Sequence, residues 1–299
     1  MAKNTIKLDK SNYFVKGFAY VFISLLALAC LIPFLLMLGT SFTSEAAVRE
    51  FGFNLWPKEF DLLAYRLVFE NPDLIIGSYI VTITMTVGGT AIGLFLLSMT
   101  GYALQRPDFD FRNQISFFIY FTTLFSGGLV PFYLLIVKIL GLKNNYLAVF
   151  LPGLMSPWLI ILMKNFTKSI PFAITESAKI DGANDFRIFL NIILPMSKPA
   201  LATVGLFLAL SYWNEWYNSM LFLEANVKYR PLQLFLYNVV NKIEYIRNSA
   251  ASSNIPPMDV PQETMKMATA IVAIGPIMLV YPFIQKYFIQ GITIGAVKG

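Results

Sequence analysis

Six long apolar runs leave this chain few ways to fold. They fall at about 18–40, 78–104, 115–137, 146–163, 199–221 and 268–289, each close to the roughly 20 apolar residues that a helix needs to cross a hydrocarbon core. Backbone in lipid must satisfy its own N–H and C=O groups, so runs of this length fold as helices. Composition agrees: 57% of the 299 residues are hydrophobic and 13% charged, against about 25% charged in a soluble domain. The expected fold class is all-α and membrane-integral, with six transmembrane helices. A typical soluble enzyme, a disordered chain and a secreted disulfide scaffold are excluded. There is no His, and the single Cys30 lies in an apolar run. His-dependent metal sites, Ser-His-Asp triads and internal disulfides are therefore absent, and no catalytic or metal site is expected.

The loops give an orientation. Lys3, Lys7, Lys10 and Lys16 precede the first run, which is too long for a cleaved signal's apolar core and reads as a retained anchor. Six spans place both termini on one side. With the N-terminus inside, the inner loops carry Arg106, Arg112, Lys164, Lys168, Lys179, Arg187 and Lys198. The resulting inner excess of Lys and Arg is modest and favours cytoplasmic termini. The chain then divides into residues 1–77 (cytoplasmic N-terminus, first span and outer loop) and 78–299 (a five-helix core). That core includes an inner loop at 164–198, an outer loop at 222–267 and a tail at 290–299. Within the outer loop, Asn248–Pro261 is small, polar and Pro-broken, and is expected to form an exposed tip.

The inner loop contains ESAKIDGANDFRIFLNIILP at 176–195. Pro171 suits a first helical turn and Thr175–Ile180 a short helix. Gly182 can take the left-handed conformation that ends it, and Asn184 or Asp185 can cap the next. Phe186, Phe189, Leu190 and Ile193 then share one helical face. Two short helices at an angle result, with Ala178, Gly182 and Ala183 small at the bend. On residues alone, an amphipathic interfacial loop and an elbow that another protein can approach closely both remain open.

The spacing resembles the EAA motif of ABC-importer permeases: Glu-Ala-Ala, three residues, Gly, nine residues, Ile-x-Leu-Pro. Glu176, Ala178, Gly182, Ile192, Leu194 and Pro195 match, and Ser177 replaces an Ala. Asp181 and Ala183 match the Asp-Gly-Ala form common in sugar importers. The tail YPFIQKYFIQGITIGAVKG and the segment SYWNEWYNSMLF resemble maltose-type permeases of the inner-subunit branch labelled LplC or YtcP. This resemblance implies a type I ABC-importer permease fold whose bent loop is a cytoplasmic coupling helix. It implies docking on an ATP-binding subunit through Glu176, Ser177, Ala178, Asp181, Gly182, Ala183, Leu194 and Pro195. It implies a tail contact with those subunits at Gly295, Ala296 and Val297, and an outer-loop tip at 250–257 that enters a binding protein's cleft. The implied partners are a second homologous permease, two ATP-binding subunits that hold ATP and Mg, an extracytoplasmic solute-binding protein, membrane lipid and a carbohydrate substrate. No cofactor and no nucleic acid is expected on this chain, which would sit in the cell membrane as a non-enzymatic transport subunit.

Glu215 is a carboxylate inside the fifth run, where charge costs roughly 3 kcal/mol or more. It sits among Trp213, Asn214, Trp216 and Asn218. Aromatic faces and amide or carboxylate hydrogen bonds suit a sugar pathway, and they equally suit helix–helix contacts near an interface. Gly88-Gly89-Thr90-Ala91-Ile92-Gly93 has phosphate-loop glycine spacing, but Leu94-Phe95 stand where Lys-Ser/Thr is required. Gly89 and Gly93 read as a close helix-packing face. Ser126-Gly127-Gly128, Pro131, Pro152, Gly153 and Pro157 mark bends. The rival to an importer permease is a stand-alone secondary transporter or channel using Glu215, which leaves 176–195 unexplained.

Overall fold

In a chain this apolar, helices close their own backbone hydrogen bonds, and they make up almost all of the regular structure. The structure, a computed structural model, describes residues 10–252 and 261–296, and side-chain surroundings over 15–245, 248–249 and 261–279. In chain order the helices are α1 (Lys10–Ser41), α2 (Glu45–Phe51), α3 (Leu63–Val68), α4 (Pro72–Gln105) and α5 (Arg112–Leu124). Next come α6 (Leu129–Leu134), continued by a π-helical turn at Leu135–Ile139, then α7 (Tyr146–Leu154), α8 (Pro157–Thr167) and α9 (Phe172–Ile180). Then α10 (Asp185–Ile188) runs through a second π turn, Phe189–Ile193, into α11 (Leu194–Met196). The last are α12 (Lys198–Trp213), α13 (Tyr217–Phe222), α14 (Leu232–Ser252) and α15 (Glu263–Ala296). Among the described residues, β pairing is confined to one isolated bridge, Thr43 to Phe60.

Val15–Ser41, Pro72–Gln105 and Tyr146–Thr167 are long and apolar enough to cross a membrane. Two expected spans are bent. The 115–137 run is two legs, Arg112–Leu124 and Leu129–Ile139, turned by 117°, because Gly128 takes φ 87° and Pro131 follows. The 199–221 run stops as a helix at Trp213 and restarts at Tyr217, and α12 meets the preceding Asp185–Met196 at 83°. Ser156 breaks α7 from α8 because the residue before Pro157 is pushed to extended backbone (ψ 122°). The sixth run, 268–289, lies within α15.

The chain forms two compact units, Met1–Glu70 with Val240–Val272, and Asn71–Val239 with Ala273–Gly299. In the first, the apolar side chains of α1 from Val15 to Leu35 face outward nearly all round, as a helix bathed in lipid or partner does. A Cβ at Gly39 would lie 2.4 Å from the Leu55 carbonyl oxygen, so glycine is what lets the 52–60 loop lie on the helix. The Glu45 carboxylate accepts the Glu263 and Thr264 N–H groups and the Thr264 hydroxyl (3.1–3.2 Å), satisfying the free N–H groups at the start of α15. Asn248–Ser252 belong to the last turn of α14 instead of opening the expected tip; residues 253–260 lie outside the described set.

In the second unit α4, about 50 Å long at 1.5 Å per residue, sets the frame. At its Asp73 end, the Tyr229 hydroxyl donates to Asp73 (3.1 Å), Lys228 pairs with Asp73 (3.0 Å), Tyr146 donates to the Tyr229 carbonyl, and the Asn144 N–H donates to the Phe222 carbonyl (2.9 Å). At its Gln105 end, Thr167 donates to the Gly101 carbonyl (3.1 Å), and Lys179 reaches Asp108. The segment 146–167 therefore runs from one end of α4 to the other. Leu97, Leu104, Leu154, Leu159, Ile160, Met163, Val204 and Leu208 form a buried core.

Tyr212 is the wedge of this packing. Its ring fills the notch left by Gly89 and Gly153, where a Cβ would sit 2.3 and 2.8 Å from it, and its hydroxyl donates to the Phe150 carbonyl (2.8 Å). Gly93 faces Leu208 and the Leu154 carbonyl one turn along. The glycine pair is a packing face, as its spacing suggests. Gly89→Leu should destabilise the protein by about 1–3 kcal/mol through overpacking, whereas Tyr212→Phe, which loses one hydrogen bond, should cost about 1 kcal/mol. Thermal unfolding in detergent checks the ranking; the reverse order would contradict the wedge.

Candidate functional site

The 172–196 elbow is built by local rules. Pro171 is the N-cap of α9 and Phe172 its first residue. The helix ends at Gly182 with φ 80°; the Ala183 N–H bonds the Ala178 carbonyl and the Gly182 N–H the Lys179 carbonyl (both 3.0 Å). This is the Schellman geometry that a left-handed glycine permits. The Asn184 side-chain oxygen Oδ1 then accepts the Arg187 N–H (2.8 Å), so Asn184 is the cap of α10.

The buried face of the second arm is Ile188, Phe189 and Ile193, joined by Ala178 and Tyr102. The 3.6-residue reading had Phe186, Phe189, Leu190 and Ile193. The π turn at Phe189–Ile193 adds a residue per turn and rotates the face, which leaves Phe186 exposed and Leu190 at the margin. Glu176, Ser177, Asp181, Gly182 and Pro195 are exposed, Ala183 and Leu194 half-buried, and Ala178 buried. Ile180 (86% exposed) and Phe186 (56%) flank Gly182, and a Cβ at Gly182 would meet nothing within 4 Å. The outer edge of the elbow is therefore an apolar, sterically open surface.

Four charges tie the elbow to the end of α4. Arg106 donates from Nε to Asp108 (2.8 Å) and pairs through Nη1 with Asp185 (2.6 Å); Lys179 pairs with Asp108 (2.8 Å) and Asp185 (3.4 Å). The ring closes with alternating sign. Arg106 is its least exposed member, with its side chain 11% exposed, and it also lies 5.6 Å from the centre of the Tyr102 ring, which stacks on Phe189. Hydrogen bonds from Arg106 hold Asp108 well below the usual carboxylate range and lower Asp185 as well, and the same bond to Asp108 holds Arg106 charged. Motif reading missed Arg106 and Asp108, because their partners lie more than 70 residues away; two opposite charges in the short 106–111 loop were the available signal.

The 211–218 cluster is a helix break. Trp213 is buried and donates to the Ala273 carbonyl (3.2 Å). Glu215 is half-buried and accepts the Asn218 N–H (2.7 Å) and side-chain amide (3.0 Å), capping α13. Its charge thus has partners and does not sit inside a continuous helix. Trp216 leans on Tyr237 (4.9 Å), and Asn214 accepts from Gln233 (3.3 Å). Gly295 and Ala296 end α15, and Val297 lies outside the described residues. Among the described residues, no three His, Cys, Asp or Glu side chains converge to hold a metal ion.

Apolar helices long enough to cross a bilayer, with an open elbow at one end of them, are the layout of a polytopic membrane protein. The sequence from 111 to 294, more than half of the chain, matches the family described as binding-protein-dependent transport system inner membrane component, and the chain belongs to that family. It is 42% identical over 282 residues (94% of this chain, 96% of the relative) to the polygalacturonan/rhamnogalacturonan transport system permease protein YtcP of Bacillus subtilis, strain 168. It is 38% identical to protein LplC of the same strain, with 90% of each chain covered. The fold matches a crystal structure of a bacterial ABC transporter involved in the import of the acidic polysaccharide alginate, with TM-score 0.79 and 32% identity over 95% of this chain and all of that one. The protein is thus an ABC-importer permease and an inner-membrane component. It works with other permease, ATP-binding and solute-binding proteins and is a transport subunit, not an enzyme. The secondary-transporter reading of Glu215 is set aside.

The ring sets a pH dependence. A carboxylate whose folded pKa is depressed stabilises the fold above its unfolded value near 4, and loses that contribution as pH falls through the lower folded value. Protection of the 176–188 amides should therefore hold from pH 7 to 5 in the native protein. In Arg106→Gln it should drop at pH 7 while α12 stays protected. Hydrogen exchange measures this, and equal elbow protection in both proteins would remove the ring's role.

Proposed function

We propose that the chain is the six-span subunit of a type I importer, with both termini in the cytoplasm, and that the 172–196 elbow is its coupling helix. The observation that carries this is the elbow's asymmetry. Its inner face is fixed to α4 by the charge ring and the Tyr102–Phe189 stack; its outer edge at Ile180, Gly182 and Phe186 is open. An ATP-binding subunit seated on that edge through Glu176, Ser177, Asp181, Gly182 and Pro195, with Ala178, Ala183 and Leu194 shaping the bend, would push on α4 and α12 directly.

Two ATP-binding subunits, which hold ATP and Mg, then close; the elbow moves with them; and the bundle alternates its access against a second homologous permease. The extracytoplasmic solute-binding protein docks at the Asp73 end, where the 222–267 loop begins. The tail at Gly295–Val297 contacts the ATP-binding pair. The cargo is an oligosaccharide. The polygalacturonan relative and the alginate importer favour fragments of acidic glycans, and exposed Trp216 and Asn214 are the groups of the 213–218 cluster placed to meet them.

Gly182 separates the elbow's own conformation from its docking. Any side chain there pays about 1–2 kcal/mol for the left-handed backbone, and none meets this chain. In proteoliposomes of the complete complex, Gly182→Ala should keep most uptake, and Gly182→Trp should lower uptake per ATP hydrolysed on the order of tenfold, about 1.4 kcal/mol. Equal coupling in the two would rule out docking at this edge. For the cargo, the partner solute-binding protein should bind oligogalacturonate or oligoalginate more tightly than maltooligosaccharides in calorimetry; a neutral preference would redirect the assignment.

A further inference from the structure

α5 and α8 leave between them a cavity of about 200 Å³, away from the outer edge of the elbow. Its walls are apolar, with Leu104, Ile119, Tyr120, Ile160 and Ile161, and its mouth is polar, with Ser116 and Lys164. The Lys164 ammonium donates to the Ser116 hydroxyl (2.7 Å), which donates on to the Arg112 carbonyl. Arg112 gives one N–H to the Arg106 carbonyl (3.1 Å). Two N–H groups of Lys164 and most of those of Arg112 are left over. The positive charges of Arg112 and Lys168 both act on Lys164. Among the described residues no carboxylate pairs with any of the three; the neighbouring Asp108 and Asp185 are committed to Arg106 and Lys179.

Lys164 lines the groove, Arg112 stands one turn before Ser116 on α5, and Lys168 one turn after Lys164 at the end of α8; three like charges so placed repel one another unless an anion joins them. The matching ligand has a negative head and a hydrocarbon tail. We infer that the α5–α8 groove binds an anionic phospholipid, its phosphate on Arg112, Lys164 and Lys168 and an acyl-chain segment along Leu104, Ile119, Ile160 and Ile161. A free phosphate would engage the mouth and leave the apolar walls unused. The assignment of this lipid to the inner leaflet rests on the orientation proposed above; the site itself does not.

The complete complex, purified and stripped of lipid, is titrated with phosphatidylglycerol or with phosphatidylcholine of the same acyl chains, and bound lipid is counted by native mass spectrometry. Phosphatidylglycerol should bind more tightly. Arg112→Gln, Lys164→Gln and Lys168→Gln should each weaken it about fivefold, and Lys164→Arg should not. Ile161→Trp, which fills the groove and keeps all three cations, should also displace the lipid. Equal binding of the two lipids, or unchanged binding in the Gln variants, overturns the inference. So does competition by millimolar inorganic phosphate together with full phosphatidylglycerol binding by Ile161→Trp, the mark of an anion site without a tail. A photoreactive residue at position 120 that cross-links to the second permease instead of lipid overturns it as well.

Discussion

The ion ring formed by Arg106, Asp108, Lys179 and Asp185 is the constraint on which the rest depends. An elbow of two short helices has too little buried surface to hold its own angle. Its core is a handful of side chains around Ile188 and Phe189. The ring supplies what that core lacks: two of its members are in the elbow and two in the loop that ends α4. Three of the four are substantially exposed, and exposed pairs contribute little singly. Arg106 changes the balance, because it is largely removed from water and satisfied from two sides at once. Its loss would leave two carboxylates competing for one lysine.

The bundle behind the elbow is firm for a different reason. Lipid offers no hydrophobic drive for helices to associate, so close packing and interhelical hydrogen bonds must do it. Tyr212 combines both, with its ring in a glycine notch and its hydroxyl on a backbone carbonyl of another helix. Where helices break, at Ser156, Gly128 and Asn214–Trp216, polar groups find local partners, and Glu215 is the clearest case. Broken helices are tolerated at membrane depth where protein surrounds the freed backbone.

The membrane class, the helical fold and the elbow were legible because they are local. Apolar runs report span length, and Gly182, Asn184 and the small residues around them report a turn between two helices. The Gly89 and Gly93 face was legible for the same reason. What the sequence hid is what depends on distant pairing or on departures from ideal geometry. A 3.6-residue period cannot foresee a π turn, so it groups Phe186 with Phe189, Leu190 and Ile193 on one face and leaves Ile188 out. A hydropathy window cannot see that a run bends by 117° or stops at Trp213. Arg106 and Asp108 looked like ordinary loop charges until Lys179 and Asp185 were brought beside them. The roles of the elbow residues were read from family resemblance; their surroundings come from the fold.

The unbroken length of α4 has a mechanical consequence. Its Asp73 end is gripped by Lys228 and Tyr229, its Gln105 end by the loop that holds the elbow, and no proline interrupts it after the first turn. A rod about 50 Å long that tilts 5° about its midpoint swings each tip by about 2 Å in opposite directions. That travel is comparable to the reach over which an ion pair is made or lost. Under the coupling proposed above, one stiff lever would let a modest stroke at one end exchange polar contacts at the other, with no relay of side chains between them.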